Sequence, residues 1–170
     1  GAGGIGLPIA SALKHEEYNL VLSDYSEEAI GKAKEYFFNR KFDSECSLDF
    51  HVGDAKDYLD KNKLDFDIVV SALPYYMNKE IAFACVSAGV AYVDLGGHVE
   101  TTNYIRKIAE EDGCAPVASD QGLAPGLVNI CGEEAFRKVS EERYRAAKIK
   151  MAVGGLPENR GLNPLDYIVT

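Results

Sequence analysis

The chain has 170 residues, of which 46% are hydrophobic and 26% charged, a composition typical of a globular protein. Its formal net charge of −9 argues against nucleic acid or an anionic membrane surface as a partner, because both are polyanions. No apolar run approaches the roughly 20 residues that span a bilayer, so no membrane partner is expected.

The first six residues, Gly1-Ala2-Gly3-Gly4-Ile5-Gly6, have the spacing G-x-G-x-x-G. Glycines at this spacing allow a sharp turn, a close approach of the backbone to a diphosphate, and tight packing of the next helix, predicted over Leu7–Leu13. The N-terminus of that helix favours an anion. The turn therefore predicts dinucleotide binding by Gly1, Gly3, Gly4, Ile5 and Gly6.

Asp24 ends an apolar strand predicted over Tyr18–Asp24, near the roughly 20-residue offset at which an acid meets the adenosine ribose. Its alternative role is to cap the next helix. A 2′-phosphate would face this carboxylate, and the first basic residue to follow is Lys32. We therefore expect NAD as the cofactor rather than NADP.

The middle of the chain alternates helical and strand patterns, which predicts an α/β fold with a doubly wound parallel sheet of the Rossmann type. In the usual strand order 3-2-1-4-5-6, the central strand would precede the glycine turn, and the sequence does not contain it. We therefore expect a gap in the sheet and a fragment of a longer polypeptide. The predicted helices are Ser26–Phe38, Ala55–Leu59, Tyr75–Gly89 and Thr101–Asp112, and the predicted strands are Leu48–Val52, Asp67–Leu73, Val90–Leu95 and Cys114–Ala118.

Asp54 follows the strand Leu48–Val52, where the loop would pass the adenine ring. A contact with adenine and a cap for the helix that begins at Ala55 are equally compatible with this position. His51 alternates with apolar neighbours, which is typical of a residue on the strand surface.

The cysteines and histidines show no metal-binding spacing. Four cysteines without a C-x-x-C pair are typical of free thiols in a reducing compartment, so we expect a cytoplasmic protein. The three histidines form no H-x-x-x-H pair, and no metal is predicted.

The end of the chain departs from the alternating pattern, with a helix predicted over Pro125–Val139 and a strand over Tyr144–Val153. We expect residues 1–139 to form a dinucleotide-binding domain that lacks its first strand. Residues 140–170 would begin a second, α+β domain.

Several motifs, in order along the chain, resemble the saccharopine dehydrogenase family: Ser71-Ala72-Leu73-Pro74-Tyr75, Asp94-Leu95-Gly96-Gly97-His98, Gly122 to Asn129, Gly154-Gly155-Leu156-Pro157 and Asn163-Pro164-Leu165. The Asp-Leu-Gly-Gly-His and Ala-Pro-Gly signatures are most similar to the lysine 6-dehydrogenase branch. The saccharopine reductase branch usually has an Asp and a His where this chain has Ala124 and Asn129.

The resemblance implies an NAD(P)-dependent oxidoreductase that acts on a C–N bond of an amino-acid substrate, most simply the oxidative deamination of the lysine side-chain amine. It also implies that the second domain serves substrate binding and dimerisation, so a homodimer of the full-length protein is expected. The alternatives are a reductase of the saccharopine or carboxynorspermidine type and a non-catalytic NAD-binding regulatory module.

Oxidation of an amine requires a base and a group that holds the cation, and three polar residues follow strands at the edge where ligands bind. His98 is the predicted base, because an ordinary imidazole exchanges protons near neutral pH, although a loop histidine often has only a structural role. Asp120 is expected to orient the amine or to bind the nicotinamide ribose. Asp94 is a catalytic candidate, with a cap for the Gly96-Gly97 turn as its alternative.

Two loops complete the predicted cleft. Ala72, Leu73 and Pro74 are expected to line the nicotinamide half, with Tyr75 facing the substrate or packing as a core aromatic residue. Gly122, Pro125 and Gly126 form a turn before a helix, which could receive a substrate carboxylate or serve backbone geometry alone.

Overall fold

The computed structural model describes residues 1–16, 18–41, 45–62, 65–112 and 115–141, together with 148 and 150. The chain divides into two compact units, Gly1–Gly126 and Leu127–Thr170. The domain boundary predicted after residue 139 stays a prediction. The strand predicted over Tyr144–Val153 lies almost entirely outside the described residues.

The first unit alternates helices and strands, as predicted. Its helices are α1 (Gly6–His15), α2 (Glu27–Phe38), α3 (Ala55–Asn62), α4 (Asn78–Ser87) and α5 (Val99–Asp112). Its strands are β1 (Leu20–Asp24), β2 (Leu48–Val52), β3 (Ile68–Ser71), β4 (Ala91–Asp94) and β5 (Val117–Ala118), and a 3₁₀ turn (Tyr75–Met77) precedes α4. In the second unit, α6 spans Leu127–Glu141.

Several element boundaries differ from the prediction, and two of them lie beside a proline. The helix predicted to begin at Tyr75 starts as a 3₁₀ turn and becomes α-helical at Asn78. The helix predicted to begin at Pro125 begins at Leu127. Gly126 has a φ of +124°, which lies outside the helical region, so the helix begins after it.

The strands form two parallel sheets, one with the order β1-β2 and one with the order β3-β4-β5. In the predicted order 3-2-1-4-5-6, the first sheet corresponds to strands 2 and 3, and the second sheet corresponds to strands 4, 5 and 6. The two sheets are separate at the position of strand 1, where a gap was expected. Because the strands in each sheet are parallel, their carboxyl ends lie at one edge. The predicted site residues follow those ends.

Each sheet has its own hydrophobic core. Leu22 of β1 packs with Ala10 of α1 and with the inner face of α2. Tyr92 of β4 packs with α4 and with Ile105 of α5. Burial of these apolar faces holds the strands against their helices and so positions the loops that follow.

No helix in the described part of the chain combines the length and the apolar character that crossing a membrane requires.

Candidate active site

The glycine turn is closely packed at its two ends and open in its middle. A Cβ on Gly1 would lie 2.5 Å from the Ala72 carbonyl oxygen, and one on Gly6 would collide with the Gly1 carbonyl group. A Cβ on Gly3 or Gly4 would meet nothing within 4 Å. The outer glycines therefore serve packing, and the middle ones leave space from which a diphosphate can reach the backbone.

The N-terminus of α1 is suited to receive an anion. Its N-cap residue, Ile5, provides no side-chain hydrogen bond, and the first turn contains no acidic residue. By contrast, the hydroxyl of Ser26 accepts a hydrogen bond from the Ala29 amide at the start of α2. Neither a side-chain cap nor an acid in the first turn therefore competes for the backbone N–H groups at the start of α1, which fit a phosphate group.

The Asp24 carboxylate joins the end of β1 to the glycine turn. Its Oδ2 accepts a hydrogen bond from the Ala2 amide at 2.6 Å, and its Oδ1 accepts one from the Ser26 amide at 2.8 Å. The alternative role of Asp24 as the N-cap of α2 is wrong, because Ser26 occupies that position. The carboxylate lies beside the predicted diphosphate site, and its contact with a ribose stays a prediction.

Asp54 caps α3. Its Oδ1 accepts hydrogen bonds from the amides of Lys56 at 2.8 Å and Asp57 at 3.1 Å. Of the two roles predicted for this residue, the structure shows the cap. The contact with adenine remains a prediction.

The segment after β3 connects the glycine turn to the loop that contains His98. The Ala72 carbonyl faces Gly1, and a side-chain carbon of Leu73 lies 3.5 Å from the position of a Gly1 Cβ. Pro74 then begins the 3₁₀ turn, which contains Tyr75. Ala72, Leu73 and Pro74 therefore lie beside the predicted cofactor site.

Tyr75 packs against His98, with ring centroids 4.9 Å apart and an angle of 19° between the ring planes. The tyrosine is 37% exposed, so it is not a core aromatic residue. The His98 Nδ1 lies 3.1 Å from the Thr101 hydroxyl and accepts a 3.4 Å hydrogen bond from the Thr101 amide. The imidazole is thus held from one side by an aromatic ring and from another by the first turn of α5.

Asp120 is held in an unusual backbone conformation, with a φ of +64°. The Thr102 hydroxyl donates a 3.0 Å hydrogen bond to its Oδ1, and Arg106 lies 3.5 Å from its Oδ2. The side chain is 25% exposed. A partly exposed carboxylate in a strained loop at a strand end is typical of functional sites.

Asp94 is buried, with 1% of its surface exposed. Its carboxylate accepts hydrogen bonds from the Gly96 amide at 2.6 Å, the Ser119 hydroxyl at 3.0 Å and the Asp120 amide at 3.4 Å. These bonds join the end of β4 to the loop after β5. The geometry supports the turn-capping alternative and gives no support to direct contact with a substrate.

The turn formed by Gly122, Pro125 and Gly126 folds closely on itself. A Cβ on Gly122 would lie 2.5 Å from the Leu95 carbonyl oxygen, and one on Gly126 would lie 2.7 Å from the Gly122 nitrogen. Backbone packing alone therefore explains both glycines, and the capture of a substrate carboxylate stays a prediction.

Thr101, Thr102 and Arg106 belong to the site but were absent from the predicted set. The two threonines are 5% exposed, and they hold His98 and Asp120 respectively. Their adjacency at the start of a helix, just after a histidine, was a usable signal, because threonine favours helix N-termini. The described residues contain no group of three or more His, Cys, Asp or Glu side chains arranged to hold a metal ion.

Residues 1–121 match the family model described as the saccharopine dehydrogenase NADP binding domain. The chain belongs to this family. It is 28% identical over 121 residues to the mitochondrial alpha-aminoadipic semialdehyde synthase of Bos taurus, and 27% identical over 130 residues to that of Rattus norvegicus. These matches cover 71% and 76% of this chain but only 13% and 14% of the relatives.

Two solved structures share the fold. An apo saccharopine dehydrogenase (L-Glu forming) from Saccharomyces cerevisiae aligns with a TM-score of 0.61 at 18% identity, covering 83% of this chain and 29% of that one. An NAD binding oxidoreductase from Klebsiella pneumoniae aligns with a TM-score of 0.56 at 14% identity, covering 84% of this chain and 37% of that one. The predicted Rossmann-type fold and the family resemblance are confirmed; the lysine 6-dehydrogenase branch is a finer assignment that stays a prediction.

Proposed function

We propose that this chain is the cofactor-binding part of an NAD-dependent oxidoreductase that deaminates the side-chain amine of lysine. The observation that carries the proposal is a continuous series of contacts at one edge of the fold. Gly1 packs against Ala72, and Tyr75, three residues further on, stacks against His98. A cofactor at the glycine turn would therefore extend toward the two loops that contain His98 and Asp120.

The names of the relatives support the substrate class. Both mammalian relatives are named as alpha-aminoadipic semialdehyde synthases. Oxidation of the terminal amine of lysine to an imine, followed by hydrolysis, gives alpha-aminoadipic semialdehyde, the compound in that name. The short chain covers little of those proteins, so the substrate assignment is our proposal for the protein to which this domain belongs.

Bound NAD would supply the hydride acceptor at the substrate carbon. The family name refers to NADP, whereas the charge at the end of β1 supports NAD. Asp24 is held by two backbone amides, and its carboxylate therefore cannot turn away from a 2′-phosphate without losing both bonds. Its negative charge would repel that phosphate.

The polar residues of the site would orient the substrate. Asp120, fixed by Thr102 and Arg106, can hold the substrate amine through its partly exposed carboxylate. Asp94, through its buried hydrogen bonds, would hold the loop after β4 and the loop after β5 together. The parts of the pocket that select lysine are proposed to lie in a second domain beginning near residue 140, which would also form a homodimer.

The test is the formation of NADH, followed by absorbance, when the purified full-length protein is supplied with NAD and L-lysine. We expect lysine to reduce NAD to NADH, and to reduce NADP to NADPH at a lower rate. Activity with saccharopine alone, or only in the direction that joins an aldehyde to an amine, would instead assign the protein to the reductases. Binding of NAD without turnover of any amine would favour the regulatory module.

A further inference from the structure

His98 has a hydrogen-bonding environment that bears on its chemistry. It immediately precedes α5, and its Nδ1 faces the third residue of that helix, Thr101. The Thr101 amide lies 3.4 Å from Nδ1, and the Thr101 hydroxyl lies 3.1 Å from the same atom. This is the arrangement of a helix N-cap in which an imidazole nitrogen replaces the usual side-chain oxygen.

Only an unprotonated Nδ1 is compatible with both of these contacts. A backbone N–H can only donate, so Nδ1 must offer a lone pair to the Thr101 amide. The Thr101 hydroxyl can rotate and donate to the same lone pair. A proton on Nδ1 would instead oppose the amide N–H and leave one of the first N–H groups of α5 without its acceptor.

We infer that the neutral imidazole of His98 carries its proton on Nε2. That nitrogen is then a hydrogen-bond donor to an oxygen of the bound ligand, either the nicotinamide carboxamide or the substrate carboxylate. The role of donor rests on the proposed function and replaces the role of general base predicted from the sequence. A neutral imidazole has one donor and one acceptor nitrogen, and here the acceptor is occupied by α5.

The surroundings of the ring agree with a fixed donor. Tyr75 stacks on its face, which limits rotation of the imidazole, and the Thr102 amide donates a 3.0 Å hydrogen bond to the His98 carbonyl. Among the described residues, the side-chain hydrogen bonds of His98 are all made by Nδ1, and Nε2 makes none. Asp120, held by the neighbouring Thr102, is then the side chain placed to accept from the substrate amine.

The tautomer can be measured without any substrate. Long-range proton–nitrogen NMR spectra of the nitrogen-15 labelled protein distinguish protonated from unprotonated ring nitrogens. A His98→Ala variant assigns the signals. At a pH where the ring is neutral, we expect an unprotonated Nδ1 and a protonated Nε2, and the same pattern in Thr101→Val.

A protonated Nδ1 in the parent protein would overturn the inference. A proton that moves between the nitrogens in Thr101→Val, but not in Thr101→Ser, would also overturn it, because the hydroxyl and not the amide would then select the tautomer.

Two substitutions test the role in turnover. His98→Gln places an NH₂ group near the position of Nε2, whereas His98→Asn keeps the helix cap and lacks a group at that position. For a donor, we expect His98→Gln to retain kcat/KM within about tenfold and His98→Asn to lose substantially more. Equal losses of about 100-fold or more in both variants would indicate a base and refute the donor role.

The same two variants also identify which ligand provides the oxygen that accepts from Nε2. A rise in the dissociation constant for NADH in His98→Asn would identify the carboxamide, and a rise in KM for the amino acid alone would identify the carboxylate. If the parent protein turns over no amine, the proposed function fails, while the NMR spectra still decide the tautomer.

Discussion

Alanine substitution within the glycine turn should separate stability from cofactor binding. In Gly6→Ala the new Cβ would lie 2.7 Å from the Gly1 carbonyl carbon and closer still to its oxygen. These are backbone atoms, so relief of the overlap requires a shift of the turn itself. Overpacking of this kind costs about 1–3 kcal/mol, partly offset by the gain of up to about 1 kcal/mol when alanine replaces glycine in a helix.

Gly3→Ala should behave in the opposite way. Its Cβ meets nothing within 4 Å, so we expect the free energy of unfolding to change by less than about 1 kcal/mol. The added methyl group would occupy the space through which a diphosphate approaches the backbone. A loss of about tenfold or more in affinity for NAD is expected, equivalent to about 1.4 kcal/mol.

A matched control is available in Gly31, which lies within α2 and whose Cβ would also meet nothing within 4 Å. Gly31→Ala should raise stability by up to about 1 kcal/mol and leave cofactor affinity unchanged. Urea unfolding followed by circular dichroism gives the stabilities, and calorimetric titration with NAD gives the affinities. Undiminished NAD affinity in Gly3→Ala, or parental stability in Gly6→Ala, would refute the division of roles within the turn.

Four further outcomes are expected. Asp24→Asn removes the negative charge at the end of β1, so the ratio of kcat/KM for NAD to that for NADP should fall by about tenfold or more, and an unchanged ratio would contradict its role in cofactor choice. The buried Tyr92 hydroxyl lies near Ser71 and Asp94 but meets neither with hydrogen-bond geometry, so Tyr92→Phe should leave stability unchanged or raise it by about 1 kcal/mol in urea unfolding. Tyr36→Phe, which removes a 3.1 Å contact with a serine hydroxyl, should lower stability by about 1 kcal/mol. Burial raises the pKa of the Cys85 thiol to about 12, so at pH 8 this thiol stays protonated and unreactive. Iodoacetamide should then label the exposed Cys131 and spare Cys85, and mass spectrometry that detects modified Cys85 in the native protein would show that its burial is incomplete.

Several predicted elements agree closely with the structure because their signals are local. Helix α2 has a serine cap, two acids in its first turn and an apolar face, and its predicted span differs from the observed one by a single residue. Strand β2 has the predicted bounds, since its alternation of residues is complete within five positions. Of the strand predicted over Cys114–Ala118, Cys114 lies outside the described residues, and β5 comprises Val117 and Ala118, which pair with β4.

The amino-acid sequence by itself determined the alternating fold, the glycine turn and the loops that form the candidate site. Periodicity, capping and turn formation act over a few residues and can therefore be read along the chain. The tertiary structure alone decided what the polar residues in those loops do. Asp24 accepts a hydrogen bond from an amide 22 residues away, and Asp94 links the end of β4 to the loop after β5. The Nδ1 of His98 accepts a hydrogen bond from the first turn of α5. Such roles depend on which groups packing brings together, because a hydrogen bond forms only at contact distance and in the right direction.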